Sequence, residues 1–276
     1  MYKDLSYLGR LIKCPYIFAA STRKDFQNQG LFKQVLKKAF KKLYRRGVTV
    51  CALYPFEHSF YQKFGFTTVC YVLNRTLNFA GKEPLKKSDF NISCLTKAYN
   101  QYFEGFDIYI KRNDKDMQKK VDECIVCGGK LFYSDGSYIL YDKDDSEALI
   151  NSDTFSLNCT SDTNNLTAQV YSQNFDISYT MTRIVNIKKL LKTIPYAFDG
   201  TIKLKITDDF FKPNNVTLEI KVLKGKAKLR KSKTFDEEVS ISDFTKLVFG
   251  TYKSGEFSKE LTAIFPNKKT YLIDQI

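Results

Sequence analysis

The sequence contains no tryptophan and a single histidine, His58, although 15% of its 276 residues are aromatic. With one histidine, and with Cys124 and Cys127 as its lone CxxC, a closed zinc site would have to be assembled from distant thiols. No apolar run approaches the roughly 20 residues that cross a bilayer. The N-terminal MYKDLSYLGRLIK carries acids and lysines where a signal peptide has its apolar segment. The expectation is a soluble, cytoplasmic protein with no membrane partner. Neither GxxxxGK[ST] nor GxGxxG occurs, which excludes a P-loop and a dinucleotide fingerprint. Repeats, low-complexity tails and Arg/Gly tracts are also missing, so the basic residues sit on folded elements.

What is present is a chain with 43% apolar residues, enough for about two domains or three small ones. Seven cysteines, an odd number scattered along the chain, do not make a disulfide framework and fit a reducing compartment. A net charge of +14 attracts polyanions: nucleic acid, anionic lipid or a phosphorylated cofactor. Charge alone does not choose among them.

The pattern predicts an α/β (α+β) fold. Residues 14–21, CPYIFAAS, read as a buried strand. In 31–44 the apolar Leu31, Phe32, Val35, Leu36, Ala39, Phe40 and Leu43 recur at helical spacing, with lysines on the opposite face and Gly47 as the stop. Residues 48–53 give a second buried strand, parallel to the first or splayed from it, with the helix across both. FYQKFGF, 60–66, reads as an aromatic helical turn and a short strand. Helices are expected over 95–102 and 114–124, then a hairpin in GGKLFYSDGSYILYD about its Ser-Asp-Gly turn. Residues 158–174 read as a polar connector with one strand at VYS. A third unit follows, with a helix at 187–192, strands at 200–207, 216–223 and 227–232, and helices at 242–249 and 258–265.

TRKDFQNQG offers no obvious capping side chain to the helix that follows. A helix start with free amides after a strand is an anion site, though a lone glycine there also serves as a plain tight bend. The whole stretch YIFAASTRKDFQNQGLFKQVL resembles the acetyl-CoA motif of GNAT N-acetyltransferases, Arg/Gln-x-x-Gly-x-Gly/Ala, with Gln27, Gly30 and Phe32 on its frame. Phe32 departs from the small residue usual at the last position. GVTVCALYPFEHSFYQKFGF, GGKLFYSDGSYILY, IVNIKKLLKTIPYAFDGTIKLKITDDF and PNKKTYLIDQI extend the likeness over nearly the whole chain, and it is similar to the Eis (enhanced intracellular survival) family.

That resemblance implies an N-terminal GNAT acetyltransferase domain (1–75), a second GNAT-like domain (76–175) and a sterol-carrier-protein-like domain (176–276). It implies acetyl-CoA as acetyl donor, with no metal. The amides of Gln27, Asn28, Gln29, Gly30, Leu31 and Phe32 would hold the pyrophosphate, and a strand edge at Ala20, Ser21 and Thr22 would pair with the pantetheine arm. Tyr61 falls on the family's general acid. The terminal carboxylate, here that of Ile276 where the family commonly ends in an aromatic residue, would be the general base. The resemblance further implies a small-molecule or lysine amine as acceptor, attacked directly without an acyl-enzyme, and a homo-oligomer, since the family forms them.

On residues alone, Tyr61 is one of eighteen tyrosines and reads as a packing aromatic, and Ile276 reads as a frayed end. His58 beside Glu57 reads as an incidental loop residue. Cys51 and Cys70 are the rival nucleophiles, in apolar surroundings without a histidine. The basic helix face lacks interleaved aromatics, so nucleic acid is not the expected partner. Met1 stands about one strand ahead of the cofactor strand, where a GNAT domain opens with a strand, two helices and further strands. A shortened gene product, a fragment that pairs with another polypeptide and a wrong start, including a UGA codon read as tryptophan, remain open. The rival function is a non-catalytic acetyl-CoA-binding remnant or assembly subunit.

Overall fold

The computed structural model of the chain describes residues 2–78, 89–134, 137–141, 147–149, 165–172 and 174–273. Contacts group them into two compact units, one drawn from within 1–70, 106–110 and 178–273, the other from within 71–105 and 111–177.

The first unit opens with an antiparallel pair, β1 (Tyr2–Tyr7) and β2 (Arg10–Ile17). The turn between them places Leu8 and Gly9 at φ 47° and 78°, the two positive angles that match the twist of a tight hairpin. A basic helix α1 (Leu31–Arg45), strand β3 (Val50–Leu53), a short helix α2 (His58–Gln62) and strand β4 (Thr67–Thr68) follow. Later segments add β5 (Ile108–Lys111), β6 (Met181–Ile184), α3 (Ile187–Thr193), β7 (Gly200–Thr207), β8 (Val216–Leu223), β9 (Lys226–Lys231), β10 (Glu237–Ser240), α4 (Ile241–Phe249), α5 (Lys259–Ile264) and β11 (Thr270–Tyr271).

These strands form two sheets. One is seven-stranded and mixed, in the order β11-β5-β1-β2-β3-β6-β4, and the other is four-stranded, β9-β8-β7-β10. The central β2 and β3 are parallel, as a strand–helix–strand crossover requires, but pair only at Tyr16 with Ala52 and Ile17 with Leu53. Beyond Ile17 and Leu53 the two chains part. Helix α1 buries Leu36 and Phe40, half-buries Phe32, Ala39 and Leu43, and exposes Lys33, Lys37, Lys38, Lys41 and Lys42 as its apolar period predicts, but Leu31 and Val35, expected on the same apolar face, are exposed. It closes in a Schellman motif: the Val48 N–H donates to Leu43 C=O and the Gly47 N–H to Tyr44 C=O, with Gly47 at φ 70°.

Strand β6 lies between β3 and β4, antiparallel to both. It carries little sequence signal, because MTRI puts a polar and a charged residue where a central strand normally carries apolar ones. In the structure all four are buried.

The second unit holds helices Ile92–Phe103 and Asp114–Val126, each started by an asparagine whose side chain accepts a backbone N–H, Asn91 from Cys94 and Asn113 from Asp116. The expected hairpin is there: Lys130–Ser134 pairs antiparallel with Ser137–Tyr141, Ser134 opposite Ser137, and the two turn residues lie outside the described residues. The polar connector contains a longer strand than its composition suggests, Asn165–Tyr171, paired antiparallel with Tyr71–Asn78. Alternation of Leu166, Ala168 and Val170 with polar residues is the sequence signal of the strand, which begins five residues before VYS.

Candidate active site

A cleft of about 780 Å³ opens within the first unit, lined by the segments that follow β2 and β3. The segment after β2 lines it with Ala20, Thr22, Phe26, Gln27, Asn28 and Gly30, and α1 with Leu31, Phe32, Lys33 and Lys37. Phe56, Phe60, Tyr61, Lys63 and Phe64 supply another wall around α2, and Asp209 and Phe210 a third after β7.

The start of α1 has the property its missing cap predicts. Gly30 occupies the N-cap in the left-handed region, φ 70°, and no side chain caps the helix. Asn28, also left-handed at φ 60°, bends the chain just before it. Among the described residues no acceptor takes the N–H groups of residues 28–33; the first helical bond runs from Gln34 N–H to Gly30 C=O. Free amides at successive positions, together with the positive end of the helix dipole, make an anion cradle. Two details amend the expected cradle. The Gln27 N–H is taken, donating to Lys24 C=O at 3.2 Å, and Lys33 N–H joins the free set. The Gln27 side chain instead braces the loop by donating to Thr22 C=O.

The expected strand edge at Ala20, Ser21 and Thr22 is not strand: β2 ends at Ile17 and the next six residues are irregular. Left-handed Ala19, φ 50°, turns the chain out of the sheet. Ala20 and Thr22 still line the cleft, while Ser21 and Gln29 do not. Ile276 lies outside the described residues.

Tyr61, in the middle of α2, is 5% exposed and reaches the cleft. Its ring meets Phe32, Phe56, Phe60 and Phe66 edge to face at centroid distances of 5.1 to 6.1 Å. Burial in this aromatic shell raises the phenol above its ordinary range, and no group among the described residues bonds its hydroxyl. The proton is therefore held and uncommitted. Phe32 explains its own departure: it packs on Phe60 at 5.3 Å and Phe64 at 5.4 Å, filling space next to Tyr61.

Helix α2 begins because the Glu57 carboxylate accepts the Ser59 N–H, and this bond holds the pKa of Glu57 below the usual carboxylate value. Glu57 serves as a cap, and His58 does not line the cleft. Burial pushes the thiols of Cys51 and Cys70 up to about 12, so neither is a nucleophile at neutral pH. Among the described residues no group of three metal-binding side chains comes together, and no helix is long and apolar enough to cross a membrane.

The strand–turn–helix–strand unit and its cleft coincide with a matched family: residues 3–69 fit the model of an acetyltransferase (GNAT) domain. The chain carries a GNAT domain. Residues 187–272, which include the four-stranded sheet, fit a sterol carrier protein domain, and it is this segment that sets Asp209 and Phe210 against the GNAT cleft. Similar solved structures include a conserved protein of unknown function from Enterococcus faecalis V583, described as a probable N-acyltransferase, at TM-score 0.81, 15% identity and coverage of 100% of this chain and 85% of that one. A GCN5-related N-acetyltransferase from Anabaena variabilis aligns at 0.72 and 14% over 100% and 85%. Eis1 from Mycobacterium abscessus aligns at 0.72 and 12% over 99% and 85%. Identities this low establish the shared fold alone. No curated protein is a detectable sequence relative of this chain.

Proposed function

We propose that the chain is an acetyl-CoA-dependent N-acetyltransferase of the Eis type, passing acetyl to a primary amine of the lysine or aminoglycoside class. The observation that carries the reading is the row of unclaimed amides at residues 28–33, of which all but Gln29 belong to residues lining the same cleft as Tyr61. The donor's diphosphate completes the helix cap, which accounts for a helix start that has no capping side chain. The acceptor nitrogen attacks the thioester carbonyl, the C–S bond breaks, and the departing thiolate takes the Tyr61 proton. The proton released by the amine goes to a base, the role the resemblance gives to the Ile276 carboxylate.

Calorimetry with acetyl-CoA, joined to transfer assays on lysine peptides and aminoglycosides, tests the assignment. Tyr61→Phe is expected to lower kcat by roughly 10²- to 10⁴-fold while acetyl-CoA still binds. Full activity in that variant removes Tyr61 as the acid, and failure of acetyl-CoA to bind the wild-type chain removes the whole reading.

A further inference from the structure

A buried charge sits behind the cleft, and neither the proposed chemistry nor the packing of the sheet calls for it. Arg183 on β6 and Asp208 after β7 are both fully buried, and their side chains form an ion pair. The other terminal nitrogen of the guanidinium, Nη1, donates to the Phe64 carbonyl. Phe64 belongs to the turn that ends α2, and its N–H donates to the Tyr61 carbonyl at 3.0 Å. The second oxygen of Asp208 accepts the N–H groups of Phe210 at 3.1 Å and Phe211 at 2.8 Å. Phe210 faces the cleft and packs edge to face on Phe64 at 5.1 Å.

We propose that the Arg183–Asp208 pair positions the reacting groups: one forked cation holds the Tyr61 turn and the Phe210 wall in a single geometry. This rests on the acetyl-transfer reading of the cleft. Three features support it beyond the contacts themselves. The guanidinium plane is itself located, with Phe40 and Phe210 at 4.9 and 5.5 Å from its centre. Its Nε is buried without a partner, so orientation comes from the two terminal nitrogens. Gly65 is at φ 76°, and a Cβ there would lie 1.9 Å from Nη1, so the turn is shaped around this contact. A buried ion pair is weak evidence for stability, since its desolvation offsets its attraction. Its distinguishing capability is geometric, because a planar fork fixes two acceptors at once and a lysine ammonium fixes one point.

Arg183→Lys is therefore the informative variant, because it keeps a cation for Asp208 while losing the hold on Phe64. The expected result is a kcat lower by roughly 10- to 100-fold with the KM for acetyl-CoA within twofold. A 3-fluorotyrosine placed at position 61 should show a shifted or broadened fluorine resonance in the folded variant. A folded Arg183→Lys protein with wild-type kcat and an unmoved resonance overturns the proposal, as does a kcat loss that only tracks the folded fraction. Asp208→Asn, read the same way, decides the matter if the lysine variant does not fold, and failure of both to fold assigns the pair to structure alone. Should the wild-type chain acetylate no amine, the acetyl-transfer reading fails separately, and the resonance at position 61 still decides whether the pair orders that ring.

Discussion

Tyr61 owes its candidate role to what surrounds its hydroxyl. A phenol in an aromatic shell ionises later than one in water, because burial disfavours the phenolate, and the phenol of Tyr61 is raised for that reason. A raised value keeps the acid protonated to higher pH, so kcat should persist through neutrality and fall only as pH rises above the ordinary tyrosine range near 10. A pH profile of kcat from 6 to 11 checks this. An alkaline limb below about pH 9 that survives in Tyr61→Phe would assign the proton to another group. Phe32 belongs to the same scale. A small residue in its place would leave a gap beside Phe60 and Phe64, so the departure from the usual motif is matched by the aromatic run FYQKFGF rather than isolated.

At the scale of the element, helix α1 ends differently at its two termini. Its C-terminus is closed by the protein itself through the Schellman bonds at Gly47 and Val48, while its N-terminus has no side-chain cap and is the proposed diphosphate site. Gly30 shapes that open start. A Cβ added there meets nothing within 4 Å, so the constraint lies in the left-handed backbone and not in space. Gly30→Ala is expected to destabilise the fold by about 1 kcal/mol through that strain, read as the shift of a urea midpoint. It should also weaken acetyl-CoA several-fold in calorimetry, because relief of the strain re-aims the amides after it. Unchanged stability and affinity together would mean that the turn is not the diphosphate site. The helix and its open start were legible in the sequence because both are local: apolar spacing gives the face, and a missing capping residue gives the vacancy. The hairpins and strands from Gly200 to Lys231 were legible for the same reason, alternation bounded by turn residues. Strand β6 and the cleft wall at Asp209 and Phe210 were not, since they join the site through pairing across more than 100 residues and carry no periodic mark of their own.

Across the whole molecule, the buried thiols make a statement about pH. Cys51 and Cys70 are raised by burial to about 12, and Cys14 is raised well above its ordinary value for the same cause. A group whose folded value exceeds its unfolded one contributes stability that is complete below the unfolded value and is lost as pH rises toward the folded one. Each such thiol therefore removes about 1.4 kcal/mol per pH unit once the unfolded chain begins to ionise, near pH 9. Lys268 acts oppositely. Burial lowers it to about 8, so the unfolded chain binds the extra proton and stability rises from there until the ordinary lysine range is passed. Three thiols outweigh one lysine, and thermal unfolding followed by circular dichroism should show a melting temperature that declines from about pH 9 and declines faster above about 10.5. The same burial sets an order of reactivity. Cys94 and Cys127 are exposed and should be alkylated at once by a maleimide at pH 7.5, while Cys14, Cys51 and Cys70 should label only at the rate of unfolding, mapped by peptide mass spectrometry. Modification of Cys51 as fast as Cys94 in the folded protein would contradict this order. It would also reopen a covalent acyl-cysteine route, because a thiol that reacts in the folded state is one that the sheet does not hold protonated.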